Sequence, residues 1–396
     1  MPRRSVVAVP VHDGPRALEL LPVLAAALAG EGPAALLVPA AQPAVARELA
    51  ASLAAGEPLA AGEDSADDPT AVVIATSGST GQAKGVLLPA GALTASARAT
   101  HARLGGPGDW LLATSARYVG GLQVLWRSLL AGRRPAAMDL AGGFRPQAFA
   151  DAARPVLAAD GPRYTAMVPT QAARLIEAGG AGLAALRAFD AVVLGGSAAS
   201  AALLARAAEA GVRLVPSYGM SETASGCVYA GVPLDGVRVR LDEVGRVSLA
   251  GPMLARGYRG RPADTAEAFA DGWFRTGDLG RLDQAGGLEV LGRADDLINT
   301  GGVKVAPVLV ERVLAAQPGV REACVLGVPD PEWGQAVVAA VVPVDGGAPP
   351  AEAALREAVR AAVGRAAAPK VVRFLPALPL RGPGKPDRIA LRALFD

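Results

Sequence analysis

The chain has 396 residues, 51% hydrophobic and 19% charged, and its 39 basic and 37 acidic side chains leave a formal net charge of +2. That balance excludes a disordered chain, which would be polar and strongly charged, and offers no basic excess to hold nucleic acid. Two distant cysteines, Cys227 and Cys324, and two histidines, His12 and His101, exclude a disulfide framework, a cysteine zinc site and a multi-histidine metal centre.

At roughly one domain per 150 residues, the length predicts two or three domains. The N-terminal apolar run Val6 to Val11 is too short for a signal-peptide core. Leu18 to Gly30 contains Glu19 and Pro22, falls short of the ~20 apolar residues that span a bilayer, and reads as a buried or half-buried helix. A cytoplasmic protein with no stable membrane insertion is expected.

Residues 1–60 alternate strand-like runs (Val6 to Val11, Ala34 to Val38) with Ala/Leu helices. The acidic stretch Gly62 to Pro69 reads as a loop, and Ala71 to Ala75 as a strand. Strands and amphipathic helices then alternate: Trp110 to Ala113 and Leu122 to Ala131, Tyr164 to Val168 and Thr170 to Ala178, Ala191 to Leu194 and Ala199 to Ala210. This alternation predicts parallel sheets covered by helices. Residues 232–293 form short strands and turns, a β-rich subregion. Residues 295–396 read strand, helix, strand, strand, helix, strand. The expected class is therefore α/β: a large N-terminal domain over 1–294 with mostly parallel sheets and a β-rich subregion, and a small α+β C-terminal domain over 295–396.

Five segments carry chemistry. Thr76-Ser77-Gly78-Ser79-Thr80-Gly81-Gln82-Ala83-Lys84-Gly85 follows a buried strand. Its small residues let backbone N–H groups approach phosphate oxygens, and its hydroxyls and Lys84 add donors and charge. It is not a Walker A loop, because Ala83 and Gly85 stand where that pattern needs Gly and Ser or Thr; a Gly/Ser surface loop is the bland alternative. Tyr218-Gly219-Met220-Ser221-Glu222-Thr223 combines a stacking ring, a close-approach glycine and a carboxylate able to hold Mg²⁺, though an ordinary strand-to-loop turn reads equally well. In Gly272 to Asp278, Asp278 can accept from both ribose hydroxyls or close a hairpin turn. Gly292-Arg293-Ala294-Asp295-Asp296 precedes Thr300-Gly301-Gly302-Val303-Lys304. Last, Gly382-Pro383-Gly384-Lys385 presents a lysine on a Gly/Pro loop, suited to developing phosphate charge or to a solvated turn. The only lysines are Lys84, Lys304, Lys370 and Lys385, and three of them fall in these segments.

Taken together, from about Val72 to Arg388, the order and spacing of these segments resemble the adenylate-forming superfamily of acyl- and aryl-CoA ligases, luciferases and peptide-synthetase adenylation domains. The resemblance implies ATP, Mg²⁺ and CoA as reactants or cofactor. It places ATP phosphates on Thr76, Ser77, Gly78, Ser79, Thr80, Gly81 and Lys84. It places adenine and ribose on Gly195, Gly196, Ser197, Tyr218, Gly219, Met220, Ser221, Asp278 and Arg293, and the metal on Glu222. Lys385, with Lys84 and Glu222, is the implied catalytic set; Asp295 is the implied hinge, and Gly301 and Gly302 the implied CoA contacts. Ala92 to Gly106, Gly121 to Gly132 and Tyr218 to Arg240 further resemble actinobacterial o-succinylbenzoate–CoA ligases of menaquinone synthesis. That likeness implies a small carboxylic acid lying against Arg117, Tyr118, Gly121, Val168, Thr170, Gly219 and Met220. One departure stands in Ala113 to Gly121, where Arg117 lies near the position at which relatives carry His; Arg117 either pairs with a second substrate carboxylate or caps a surface turn. Another aryl- or acyl-CoA ligase, an adenylation domain or a nucleotide-binding protein without catalysis are the alternatives, and a homodimer is left open.

Overall fold

The computed structural model describes residues 3–77, 83–344, 348–380 and 386–395. The chain divides into two compact units: Met1–Gly195 with Ala207–Arg240 and Ser248–Thr276, and Gly196–Arg206 with Leu241–Val247 and Gly277–Asp396.

The first unit holds two sheets. One runs Val6–Val11, Ala34–Pro39, Thr70–Ser77, Ala83–Pro89 and Gly257–Tyr258, its first three strands parallel and the last two added antiparallel. Ala34–Pro39 is buried at every position, as a strand covered on both faces must be, which explains its unbroken apolar sequence. The other sheet has seven strands. Leu214–Met220, Ala191–Leu194, Arg163–Met167, Asp109–Leu112 and Ala136–Ala137 are parallel neighbours in that order. Ser225–Tyr229 and Val232–Pro233 continue it antiparallel beyond Leu214–Met220.

Helix Ala90–Leu104 touches strands of both sheets, while Val119–Leu130 packs on it and on strands of the seven-stranded sheet, and apolar side chains of the two helices and both sheets join in one core that includes Ile74, Leu88, Leu93, Trp110, Leu122 and Trp126. Val119–Leu130 is buried from Gly121 through Ser128, so it has no polar face. Polar groups are trapped with it. Arg127, 1% exposed, lies with its guanidinium 5.0 Å from the Trp110 ring centre. Its Nε and the Nε2 of buried His101 have no hydrogen-bond partner among the described residues.

The expected helix from Leu18 to Gly30 is split. Gly14–Leu20 is a 3₁₀ segment and the α-helix runs Leu21–Leu28. Pro22 has no N–H to give to Leu18, so the α-helical ladder begins around it, with proline in the first turn where that loss is harmless.

In the second unit, Gly334–Pro343 pairs antiparallel with Val320–Asp330 and parallel with Val371–Phe374, and Ile298–Thr300 and Val303–Val305 extend the sheet. The strand period of two sorts its core. Val325, Val337, Ala339 and Val341 face Val310, Leu314, Leu355 and Val359 of two helices, Pro307–Ala315 and Glu352–Ala362. Cys324, Leu326, Val338 and Ala340 face the other way, toward Leu378 and Leu391.

Candidate active site

Parallel α/β sheets bind ligands beyond the carboxyl ends of their strands, and the expected residues of the first unit collect there. Four adjacent strands end at Leu112, Met167, Leu194 and Met220. They lead, respectively, into the 113–118 segment, Val168 and Thr170, Gly195, and Ser221 with Glu222. Cross-links hold these ends together. Gln171 accepts from the Val168 amide at 3.0 Å and donates to the Ala113 carbonyl at 3.0 Å. Gly195 donates to the Met167 carbonyl at 3.1 Å, and Ser217, beside Tyr218, donates to Leu194 at 2.7 Å. Two glycines are required by close approach. A Cβ at Gly219 would lie 2.1 Å from the Ser225 carbonyl oxygen, and one at Gly121 2.3 Å from that of Ser115. Gly121 thus presses the 115–118 turn onto the start of helix Val119–Leu130.

Glu222 and Lys84 converge through a residue outside the five segments. Tyr258 lies on the edge strand opposite Val86, so Lys84, two residues along on the same face, is its diagonal neighbour. The Lys84 ammonium sits 4.9 Å from the Tyr258 ring centre and 3.0 Å from Asp264. The Tyr258 hydroxyl donates to Glu222 Oε1 at 3.0 Å. Burial, then the charge of Glu222 and its hydrogen bond, push the Tyr258 pKa far above its ordinary value, so it remains a neutral donor. Lys84 first, then Arg261, holds the Asp264 carboxyl below its ordinary range. The next residue, Arg259, anchors this strand: it is 8% exposed, ion-pairs with buried Glu63 and donates to the Pro58 carbonyl at 2.9 Å. Burial raises the Glu63 pKa, and the amides of Gly260 and Ala60 together with Arg259 more than reverse it, so the pair stays charged.

In the 113–118 segment, the Arg117 guanidinium donates to the Tyr118 hydroxyl at 2.6 Å and stacks 4.7 Å from that ring's centre. Both side chains are half-buried.

The second unit carries the other expected residues. Asp278 and Arg293 are register partners across antiparallel strands, with 3.9 Å between their charged groups. Arg293 also donates to Asp295 at 3.3 Å. The implied ribose, nucleotide and hinge residues therefore form one chain of contacts, a neighbourhood that a 17-residue separation in sequence does not reveal. Gly196 follows the strand end with φ +85°, and Ser197 is half-buried. Gly301 and Gly302 form a two-residue hairpin turn with φ +58° and +80°, a turn that favours glycine. Of the first segment, Thr76 and the backbone of Ser77 end their strand. Gly78, Ser79, Thr80 and Gly81, with Lys385, lie outside the described residues.

Tyr258 and Asp264 escaped the sequence reading. Tyr258 stands in an unremarkable Arg-Gly-Tyr-Arg-Gly stretch and Asp264 in the first turn of a short helix. Only the pairing of an edge strand to the lysine-bearing strand brings them to the site.

Residues 17–259 match the family described as AMP-binding enzyme, and residues 309–385 match the AMP-binding enzyme C-terminal domain. A probable 2-succinylbenzoate–CoA ligase of Mycobacterium tuberculosis is 44% identical over 390 residues, 98% of each chain. Among solved structures, the o-succinylbenzoate CoA synthetase of Bacillus subtilis in complex with its acyl-adenylate intermediate superposes with a TM-score of 0.77 at 26% identity, over 99% of this chain and 89% of that one. An amide bond synthetase of Marinactinospora thermotolerans gives 0.81 at 28%, over 100% and 90%.

Proposed function

This chain belongs to the AMP-binding enzyme family, and from that premise we propose that it is an ATP-dependent acid–thiol ligase forming o-succinylbenzoyl-CoA through an acyl-AMP, a step of menaquinone biosynthesis. The observation that carries this reading is the 44% identity with the mycobacterial relative along 98% of both chains. The protein would act in the cytoplasm on a small carboxylic acid, ATP and CoA; among the described residues no helix is long and apolar enough to cross a membrane.

A carboxylate is a poor electrophile. Its attack on the ATP α-phosphate forms an acyl-AMP with a good leaving group and releases pyrophosphate. The protein's share is orientation and charge. Lys84, steadied by Asp264 and the Tyr258 ring, is the cation for the departing pyrophosphate. Lys385 meets the α-phosphate and the attacking carboxylate. Tyr218 stacks adenine, and Asp278 takes the ribose hydroxyls. Glu222 fits a Mg²⁺ ion: it is a half-buried carboxylate that accepts from the Tyr258 hydroxyl, and Mg²⁺ commonly uses one or two carboxylates together with substrate phosphates. When bound, the ion supplies charge neutralisation at the phosphates. The small C-terminal domain, turning at Asp295, then exchanges Lys385 for the Gly301-Gly302 turn, beside which the CoA thiol attacks. No histidine is needed as base, since a thiol of ordinary pKa about 8.5 is already a few per cent thiolate at pH 7. Arg117 carries the charge to hold the aromatic carboxylate of o-succinylbenzoate.

The test is pyrophosphate release with ATP, Mg²⁺ and CoA on o-succinylbenzoate beside benzoate, salicylate and a medium-chain fatty acid, with thioesters confirmed by mass. Preference for o-succinylbenzoate, lost in Arg117→Ala, is the expected result; preference for another acid moves the protein to another pathway. The likeness to an amide bond synthetase supports a second reading, with an amine as acceptor. Pyrophosphate release without any thioester would favour it.

A further inference from the structure

Behind Glu222 the backbone takes an unusual course. Ala224 has φ +48° and Ser225 φ +98°, two successive non-glycine residues in a region that L-residues avoid, and such strain persists only where the surroundings hold it. Two side chains from different helices meet one atom there. Ser96 Oγ, from Ala90–Leu104, donates to the Ala224 carbonyl at 2.9 Å. Gln123 Nε2, from Val119–Leu130, donates to the same oxygen at 2.9 Å and to Leu93 at 3.1 Å. Ser96 is 2% exposed and Gln123 0%. Gln123 stands among Leu122, Val124 and Leu125 in a helix buried all round, where an apolar residue would pack without penalty. Its Oε1 has no partner among the described residues, so its amide is present for its two N–H bonds. On the near side of the turn, Thr223 accepts from the Met220 amide at 2.9 Å and donates to Ser225 at 2.7 Å.

We propose that Ser96 and Gln123 are positioning residues: they hold the strained Ala224–Ser225 turn and thereby aim Glu222 at the metal-bound phosphates. Gln123 lies one helical turn after Val119, at whose start Tyr118 and Gly121 shape the acyl segment, so the same helix that meets the acid also sets the carboxylate. The proposal rests on the reading of Glu222 as the Mg²⁺ carboxylate.

The experiment is calorimetric binding of ATP, without acid or CoA, in Mg²⁺ and in EDTA, with a melting curve for each variant. Glu222→Gln should abolish the Mg²⁺-dependent part of the affinity. Gln123→Met, similar in volume but without N–H groups, and Ser96→Ala should each cut that part by roughly tenfold, the scale of one hydrogen bond, while affinity in EDTA stays unchanged. Ala224→Gly, which reaches positive φ without strain, should restore much of the loss in Gln123→Met. If Glu222→Gln loses the Mg²⁺ effect but Gln123→Met and Ser96→Ala keep it, the proposal is wrong while the reading of Glu222 stands. If Glu222→Gln keeps the effect, that reading fails and the proposal with it. Should Gln123→Met not fold, Ser96→Ala, which deletes one donor and almost no volume, decides alone. Equal loss in EDTA and Mg²⁺, with no rescue by Ala224→Gly, would mean simple structural damage and also overturn the proposal.

Discussion

Tyr258 separates what a hydroxyl does from what a ring does. Its ring packs edge-on against Phe269 at 5.7 Å and underlies Lys84, while its hydroxyl alone meets Glu222. Tyr258→Phe keeps the first two contacts and removes the third. A hydrogen bond to a charged group contributes about 1.5–3 kcal/mol, so if it orients Glu222 for the metal, kcat/KM for ATP with Mg²⁺ should fall by up to roughly ten- to hundredfold, with a melting temperature lower by a few degrees; steady-state kinetics at saturating acid and CoA, beside a melting curve, checks this. At this scale the sequence showed residue types well. Lys84, Glu222 and Asp278 stand out because each brings a charge to a turn rich in glycine and hydroxyls. It could not show partners: Asp264 and Tyr258 become neighbours of Lys84 only when strands more than 170 residues apart pair.

Among the elements, helix Ala90–Leu104 carries a titratable group into an apolar core. Burial first, and the positive charge of Arg127 second, lower the His101 pKa from 6.5 to about 4. The unfolded chain therefore takes up the proton first as pH falls. The stability that neutral His101 permits is complete above about pH 6.5 and is lost progressively as pH drops toward 4, by at most about 3 kcal/mol. Urea unfolding at pH 7 and pH 4.5 should show this fall, and His101→Gln should show less of it. The elements themselves were legible. Asp109–Leu112, Arg163–Met167 and Ala191–Leu194 each fall within about two residues of the expected strands, because a strand buried on both faces is an unbroken apolar run bounded by turn residues. The split at Leu20 and Leu21 was harder to read: Pro22 marks where the α-helix begins, but nothing in the residues before it shows that they wind as a 3₁₀ segment.

For the molecule as a whole, the alternation of strands and helices was enough to predict parallel sheets. It did not predict that two sheets share the helix Ala90–Leu104, because nothing local marks which strands share a sheet. The division into two units has a consequence for chemical labelling. Cys227 and Cys324 are each 1% exposed, one in each unit. Burial pushes the Cys227 thiol up to about 12; burial and the charge of Glu311 do the same for Cys324. A thiol that is both hidden and un-ionised reacts with a chromogenic disulfide only when its surroundings open. Cys227→Ala and Cys324→Ala proteins, each with one thiol left, are thus two clocks, timing the opening of one unit each. Their modification rates in dilute urea should differ and diverge with temperature, and identical rates at every condition would mean that the two units breathe as one.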